Sequence, residues 1–218
     1  MLSWKRELDR KQAALITLWT TLSIELGYVI LAPFVWHASW GHLVQPSILV
    51  LLFGLLAIAR GRVRWITTLL RLILSAEFGL SVADRFGWLG PPGHGAAWGD
   101  FAHFVTYTHQ VNAFLPASFA PLLAVLATIF EATFAVALLL GIRIRQTSAG
   151  AAILLCLFGT AMMASGLVES QFFYAVFVLA SGAWLISVTD ASLLSVDWLI
   201  ERIYHKSRTS LHSGKVRA

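Results

Sequence analysis

Six long apolar runs, separated by short polar segments, dominate the hydrophobic pattern of this 218-residue chain. They occupy residues 13–35, 43–59, 65–83, 118–140, 147–165 and 172–188. Each run has roughly 17–23 residues, and a helix of that length crosses the ~30 Å hydrocarbon core of a bilayer. The pattern therefore predicts an all-α, polytopic membrane bundle with six transmembrane helices.

The Lys and Arg residues alternate from one side of these runs to the other. Fourteen of the sixteen lie before the first run, between the second and third, between the fourth and fifth, or after the sixth. Arg85 lies in another connection, and Arg71 lies inside the third run. Because cytoplasmic segments are enriched in Lys and Arg, we expect an inner-membrane protein with both termini in the cytoplasm.

Composition excludes several other classes. With 58% hydrophobic residues, the chain has too little polar surface for a soluble globule. The net charge of +5 is spread over four short segments, so we expect contact with the headgroups of the lipid bilayer and not with nucleic acid. Cys156 is the only cysteine, so any redox role needs an electron carrier from elsewhere.

The connection over residues 84–117 is much longer than the others and lies on the predicted outer side. It opens with the Gly/Pro-rich segment 87–95 and changes to a helical pattern over about residues 100–115. Asp100 precedes this pattern and can cap a helix through its carboxylate. We expect an amphipathic helix in the outer interface, or one covering the mouth of the bundle.

Four ionisable residues lie inside the apolar runs, where a charge is costly and needs a partner or a cavity: Glu25, Arg71, Glu77 and Glu131. One interpretation makes them a proton path or polar cavity. The other makes Arg71 and one or two glutamates a buried lock between helices, with an Arg71–Glu131 ion pair favoured. For Glu25, the buried lock between helices is the favoured interpretation.

A polar stripe on the third predicted helix consists of Glu77, Ser81, Asp84 and Arg85, which recur at helical spacing. It leads from mid-membrane toward the long outer connection. That connection supplies four further candidates at the outer mouth: His94, His103, Tyr107 and His109. Such groups can hydrogen-bond a quinone head group, so the sequence suggests a quinone or another ligand from the lipid phase.

Five of the seven histidines lie in predicted outer segments, which raises the question of a transition-metal site. No pair of them has the spacing of a local metal-binding motif, and His103 and His109 do not share a helix face. No metal site is therefore predicted. Dinucleotide, phosphate-loop, nucleophile-elbow and zinc-protease motifs are also lacking in the sequence.

The part of the chain after the second apolar run carries a series of short segments, in this order: Leu-Arg-Leu at 70–72, Ala-Asp-Arg-Phe-Gly at 83–87, Gly-Pro-Pro-Gly at 90–93, Trp-Gly-Asp at 98–100, Asn-Ala-Phe-Leu-Pro at 112–116, Glu131, Leu-Leu-Leu-Gly at 138–141 and the stretch 158–166. With these segments, the chain from residue 68 to residue 189 resembles the DoxX family of small bacterial membrane proteins. The resemblance implies a four-helix bundle core. Arg71, Asp84, Arg85 and Glu131 match the recurrent polar residues of the family.

Relatives in this family are linked to terminal-oxidase and thiosulfate:quinone oxidoreductase complexes or to thiol-redox assemblies, and many have no assigned activity. The resemblance thus implies a membrane subunit or accessory protein of a quinone-linked redox system, with redox-protein partners. Two alternatives stay open: a small-solute transporter, and an assembly factor without chemistry of its own. Whether the chain is an enzyme, what it binds and its oligomeric state are left open.

The expected organisation has three parts. Residues 1–64 form a two-helix transmembrane extension, and residues 65–189 form the DoxX-like core with the outer connection 84–117. Residues 190–218 begin with an amphipathic pattern and end in a basic cytoplasmic tail.

Overall fold

The computed structural model describes residues 2–35, 37–93, 96–200 and 202–203, and every regular element in these ranges is helical. Eight α-helices follow one another: α1 Leu2–Val35, α2 Trp40–Ile58, α3 Arg64–Arg85, α4 Phe101–Val111, α5 Ala120–Leu140, α6 Ile144–Ala164, α7 Val168–Phe173 and α8 Val176–Ser187. A 3₁₀ turn, Ala117–Phe119, leads into α5. We call the end of the bundle that carries residues 84–117 the outer end, and the opposite end the inner end.

Five helices are long and apolar enough to cross a membrane: α1, α2, α3, α5 and α6. Their outward faces carry large aliphatic side chains, such as Leu51 on α2 and Ile153 on α6, which are 70% and 64% exposed. Such faces suit contact with lipid and would be unfavourable in water. The chain thus has the helical framework of a multi-pass membrane protein.

The sixth predicted span is not one long helix. The chain forms the short helix α7, passes through Ala175 in a left-handed conformation with φ of 47°, and then forms the 12-residue α8. Nearly all of α8 is buried against α1, α2, α3 and α6. Irregular backbone at membrane depth is tolerated when protein surrounds it, which explains why the break can persist here.

The two most extensive helix pairs are α3 with α5 and α6 with α8. The hairpin of α1 and α2 packs against α8 from outside these pairs. The inner connection between α5 and α6 is tight because Gly141 ends α5 in the left-handed conformation, with φ of 66°. A Cβ at this position would collide with the Arg71 guanidinium and with Ser195.

Both predicted amphipathic segments contain helix. Asp100 caps α4 as expected, because its carboxylate accepts a hydrogen bond from the His103 amide at 2.8 Å. The helix ends at Val111, four residues earlier than the pattern indicated, where the Asn112 side-chain amide donates to the Thr108 carbonyl. Residues 196–200 are helical, whereas residues 204–218 of the predicted tail lie outside the described ranges.

Candidate functional site

A cavity of about 1110 Å³ occupies the outer half of the bundle, among α3, α4, α5 and α6. Its walls are mainly aliphatic and aromatic. Its ionisable and hydroxyl-bearing lining residues include His42, Glu77, Ser81, Asp84, Arg85, Tyr107, Thr108, Glu131, Thr160 and Tyr174. A large apolar cavity with a few converging polar groups is the usual form of a small-molecule site.

The stripe predicted from sequence lies along this cavity. Glu77, Ser81, Asp84 and Arg85 all line it, because these positions share one face of α3. Glu131, contributed by α5, also lines it. The sequence pattern therefore identified five residues of one cavity, although the pattern alone did not reveal which of them meet.

A buried ion pair joins α3 to α5 at this cavity. Arg85 Nη2 lies 2.6 Å from Glu131 Oε2, and the two side chains are only 2% and 3% exposed. Arg85 also donates to Thr128 Oγ1 and Ser81 Oγ, each at 2.9 Å. These contacts neutralise the guanidinium and use several of its donors, although Arg85 Nε and Glu131 Oε1 have no hydrogen bond with a described residue.

Aromatic rings of the outer segment cover the arginine. The Arg85 guanidinium carbon lies 3.6 Å from the centroid of the Phe104 ring and 5.4 Å from that of Trp98. Phe104 belongs to α4, and Trp98 precedes it. Cation–π contacts of this kind attach the outer helix to the charged end of α3.

Asp84 organises the outer connection. Its carboxylate accepts hydrogen bonds from three consecutive backbone amides, those of Ala97, Trp98 and Gly99, at 2.8–3.1 Å. This arrangement brings Trp98 to its position beside Arg85. Asp84 is 4% exposed, and its acceptor oxygens are engaged by the loop, so its role in the fold is to anchor that loop.

Glu77 differs from the other charged lining residues. It is half-buried on α3, and it makes no hydrogen bond or ion pair with any residue in the described ranges. It also lines a second, smaller cavity of about 330 Å³ between α2 and α3, together with Gln45 and Phe173. Its carboxyl group is therefore available to a molecule in the main cavity.

The four outer-mouth candidates have different positions. Tyr107 lines the cavity, and burial raises the pKa of its phenol, with the neighbouring Tyr174 adding to that shift. His103 and His109 are exposed, and His103 Nδ1 contacts Asp100 Oδ2 at 2.8 Å. That carboxylate is exposed, and its hydrogen bonds with the His103 amide and ring lower its pKa. His94 lies outside the described residues.

The favoured Arg71–Glu131 ion pair is wrong. Arg71 lies in the inner half of α3, and its Nη2 donates to the carbonyls of Leu193 and Leu194 at 3.3 and 3.1 Å. Glu131 is paired with Arg85 instead. Both arginines lie on similar faces of α3, so helical periodicity could not distinguish them; the antiparallel register of α3 and α5 decided the partner.

Glu25 is buried in α1, 1% exposed, and does not line the cavity. No described salt bridge joins it to an arginine, so the predicted lock between Arg71 and a glutamate is wrong for Glu25 as well. Its Oε1 atom is buried without a hydrogen bond to any described residue.

Sequence reasoning missed several polar residues of the cavity, among them His42 and Gln45 from α2 and Tyr174 from the break between α7 and α8. The position of α2 against the cavity could not be read from its own pattern. Among the described residues, no group of three or more His, Cys, Asp or Glu side chains is arranged to hold a metal ion.

Comparison of the chain with protein-family models, with curated proteins and with solved structures gave no match.

Proposed function

We propose that the protein is a six-span inner-membrane protein that binds an amphipathic molecule of the isoprenoid-quinone type in its outer cavity. In this proposal it acts as a membrane subunit or accessory protein of a quinone-linked redox system. The observation that carries the proposal is the cavity itself, in which apolar walls lead to a polar face formed by Glu77, Ser81, Arg85 and Glu131.

The walls of the cavity favour a ligand from the lipid phase. Leu126 and Phe130 on α5 and Leu157 on α6 line the cavity, and the same side chains are 40%, 49% and 62% exposed. The cavity wall thus continues into the apolar outer surface between α5 and α6. A molecule dissolved in the bilayer can reach such a cavity without crossing water, and an isoprenoid tail suits its walls.

The polar face suits a head group with oxygen substituents. Carboxyl, guanidinium and phenol groups can each hydrogen-bond a quinone or quinol oxygen. The resemblance to the DoxX family adds the expectation of a redox assembly, and the electron carrier would be the quinone together with the partner proteins. The described side chains suggest no reaction of their own, so we assign no catalytic residue.

Binding is tested with a photoreactive short-chain ubiquinone analogue and the purified protein in phosphatidylcholine nanodiscs. Wild-type protein should label saturably within the cavity-lining helices. Ala161→Phe places a ring in the cavity without touching the polar face and should weaken labelling by about tenfold or more, which corresponds to ~1.4 kcal/mol. Ala76→Phe, on the exposed face of the same bundle, should label normally. The absence of saturable labelling, or full labelling of Ala161→Phe, would refute the proposal.

The proposed topology has a separate test. In a Cys156→Ser background, single cysteines at Ser39 and His109 should react with a membrane-impermeant thiol reagent added to intact spheroplasts. Cysteines at Val63 and Gln146 should react only after the membrane is opened. All four positions are exposed. Labelling of Val63→Cys from outside would contradict cytoplasmic termini and the six-span arrangement.

A small-solute transporter is the second candidate, and the unpaired Glu77 favours it. A partly exposed carboxyl group beside a membrane cavity is also what a proton-coupled transporter requires. This candidate predicts solute-dependent flux in proteoliposomes that contain no redox partner. Flux that Glu77→Gln abolishes would support transport over a role as a redox subunit.

A further inference from the structure

The charged residues of the outer cavity are unequally committed to partners within the protein. Three carboxylates and one guanidinium line it: Glu77, Asp84, Glu131 and Arg85. Asp84 accepts three backbone amides, and Glu131 is paired with Arg85 at 2.6 Å. Glu77 alone among these four has no hydrogen bond or ion pair within the described ranges.

The one guanidinium among the described lining residues is not available to an anionic ligand. Arg85 is already neutralised by Glu131, is 2% exposed, and lies beneath the Phe104 ring. A phosphate, sulfate or carboxylate head group would therefore meet Glu77 and no free guanidinium or ammonium group of a described lining residue. Placing like charges together at such a site costs several kcal/mol, roughly two or more powers of ten in affinity.

The surroundings of Glu77 suit the opposite charge. Aromatic side chains are prominent in the cavity walls, and they include Phe78, Tyr107, Phe130, Phe173 and Tyr174. Aromatic faces attract cations, and a nearby carboxylate strengthens that attraction in a medium of low dielectric constant. A neutral head group that carries a hydroxyl can instead donate a hydrogen bond to the carboxylate. Both cases satisfy the ionised Glu77 side chain, whereas an anion without a donor meets a like charge.

We infer that Glu77 is the residue that contacts the ligand head group and that the cavity selects by charge, accepting cationic and neutral amphiphiles and rejecting anionic ones. This inference rests on the proposed function, because it assumes that an amphiphile occupies the outer cavity.

The test uses two permanently charged competitors with the same twelve-carbon tail, dodecyltrimethylammonium and dodecyl sulfate, below their micellar concentrations. Each displaces the photoreactive ubiquinone analogue from the protein in phosphatidylcholine nanodiscs, and bilayer partitioning is measured so that membrane concentrations are compared. In the wild type, the cation should displace the probe at a membrane concentration at least about tenfold below the concentration that the anion requires. This ratio corresponds to a difference in binding free energy of at least ~1.4 kcal/mol.

Glu77→Gln should bring the two competitors to within about threefold, a residual difference of ~0.6 kcal/mol, because the amide keeps the size and hydrogen-bonding capacity of the side chain without its charge. Glu25→Gln is the matched control, since Glu25 is a buried glutamate that does not line the cavity, and it should retain the wild-type preference.

Equal displacement by both competitors in the wild type would overturn the inference while leaving the proposed function standing. An unchanged preference in Glu77→Gln would overturn it as well, and the wild-type comparison decides even if this variant folds poorly. A protein that never labels with the quinone probe would refute the proposed function instead, so the two failures are distinguishable.

Discussion

The two buried arginines of α3 show how the same residue type acts differently at the two ends of one helix. Arg71 and Arg85 are fourteen residues apart, about 21 Å along the axis, and lie on similar faces. Arg85 faces a carboxylate, and its pair with Glu131 is buried at 2.6 Å beside a cavity. Arg71 faces backbone carbonyls, and its Nε and Nη1 atoms are buried without a hydrogen bond to any described residue.

The inner arginine holds a segment of chain in place. Leu193 and Leu194, whose carbonyls it contacts, belong to the irregular stretch after α8. The same stretch places Asp197 so that its carboxylate accepts the amides of Arg143 and Ile144 at 2.9 and 3.0 Å, at the start of α6. The comparison teaches that a directly bonded carboxylate neutralises the buried arginine beside the site, whereas the inner arginine is held by backbone carbonyls, with the Asp197 carboxylate near enough to interact with its charge.

The largest expected effect comes from removing the carboxylate at the outer arginine. Glu131→Ala leaves Arg85 buried and unpaired, and it should lower the free energy of unfolding by about 3–5 kcal/mol. Thermal unfolding in detergent, followed by circular dichroism, measures the change. Because α3 and α5 meet at this pair, a loss of folded protein on expression would also be expected from the unpaired charge of Arg85.

Double variants sharpen the comparison between the two arginines. Arg85→Met combined with Glu131→Met removes both charges, and it should recover most of the stability that Glu131→Ala loses. Arg71→Met combined with Glu131→Gln should instead give the sum of the single effects to within about 0.5 kcal/mol, since these residues do not touch. Recovery of stability in the second combination would contradict the partners described above.

The next effect in size concerns the inner arginine. Arg71→Met removes the two hydrogen bonds from the buried guanidinium to the carbonyls of Leu193 and Leu194 and should cost about 1–3 kcal/mol of unfolding free energy. Hydrogen exchange should rise selectively over residues 190–197, which lose their attachment to α3. Arg62→Met, at an exposed position of the same end, serves as the control and should change neither quantity. If hydrogen exchange in Arg71→Met rose equally around Arg71 and around Arg85, the distinction between an anchoring arginine and a cavity arginine would be contradicted.

The smallest effect concerns the exposed cap of α4, the helix that covers Arg85. Hydrogen bonds from the His103 amide and ring lower the pKa of Asp100, so the folded chain favours its ionised form. The resulting stabilisation of α4 is present above the ordinary Asp pKa of about 4 and is lost as pH falls through the lowered value. Amide exchange in α4, compared between pH 5 and pH 2.5, should show this loss.

Asp100→Asn provides the control for the cap, because asparagine is also a good N-cap but does not titrate in this range. Protection of α4 in this variant should be nearly independent of pH. A pH dependence as steep as that of the wild type would assign the effect to another group.

Much of the fold could be predicted because apolar length and helical period are local properties of the chain. Five of the six apolar runs are long helices, and Asp100 begins α4 as the cap pattern indicated. The sixth run could not be interpreted in this way. Its interruption at Ala175 is stabilised by the helices around it, and no residue in the run marks the break.

Only part of the membership of the candidate site, and none of its pairing, could be predicted from the sequence. Period alone placed Glu77, Ser81, Asp84 and Arg85 on one face of α3, and all four line the cavity. Sequence reasoning paired Glu131 with Arg71 on a different ground, namely that both are ionisable residues in apolar runs and need a partner. The contribution of His42 and Gln45 was not foreseen, since their helix reaches the cavity only through its packing.

By itself, the sequence determined that this chain is helical, that most of its apolar runs are long enough for a bilayer, and which polar residues follow one face of α3. These properties depend on residues close together in the chain. Tertiary structure decided that Arg85 meets Glu131, that Arg71 contacts the segment after α8, and that Glu77 lies beside the cavity without a partner among the described residues. The reason is that each of these outcomes depends on the register between helices, which is set by packing over the whole bundle and not by the period of any one helix.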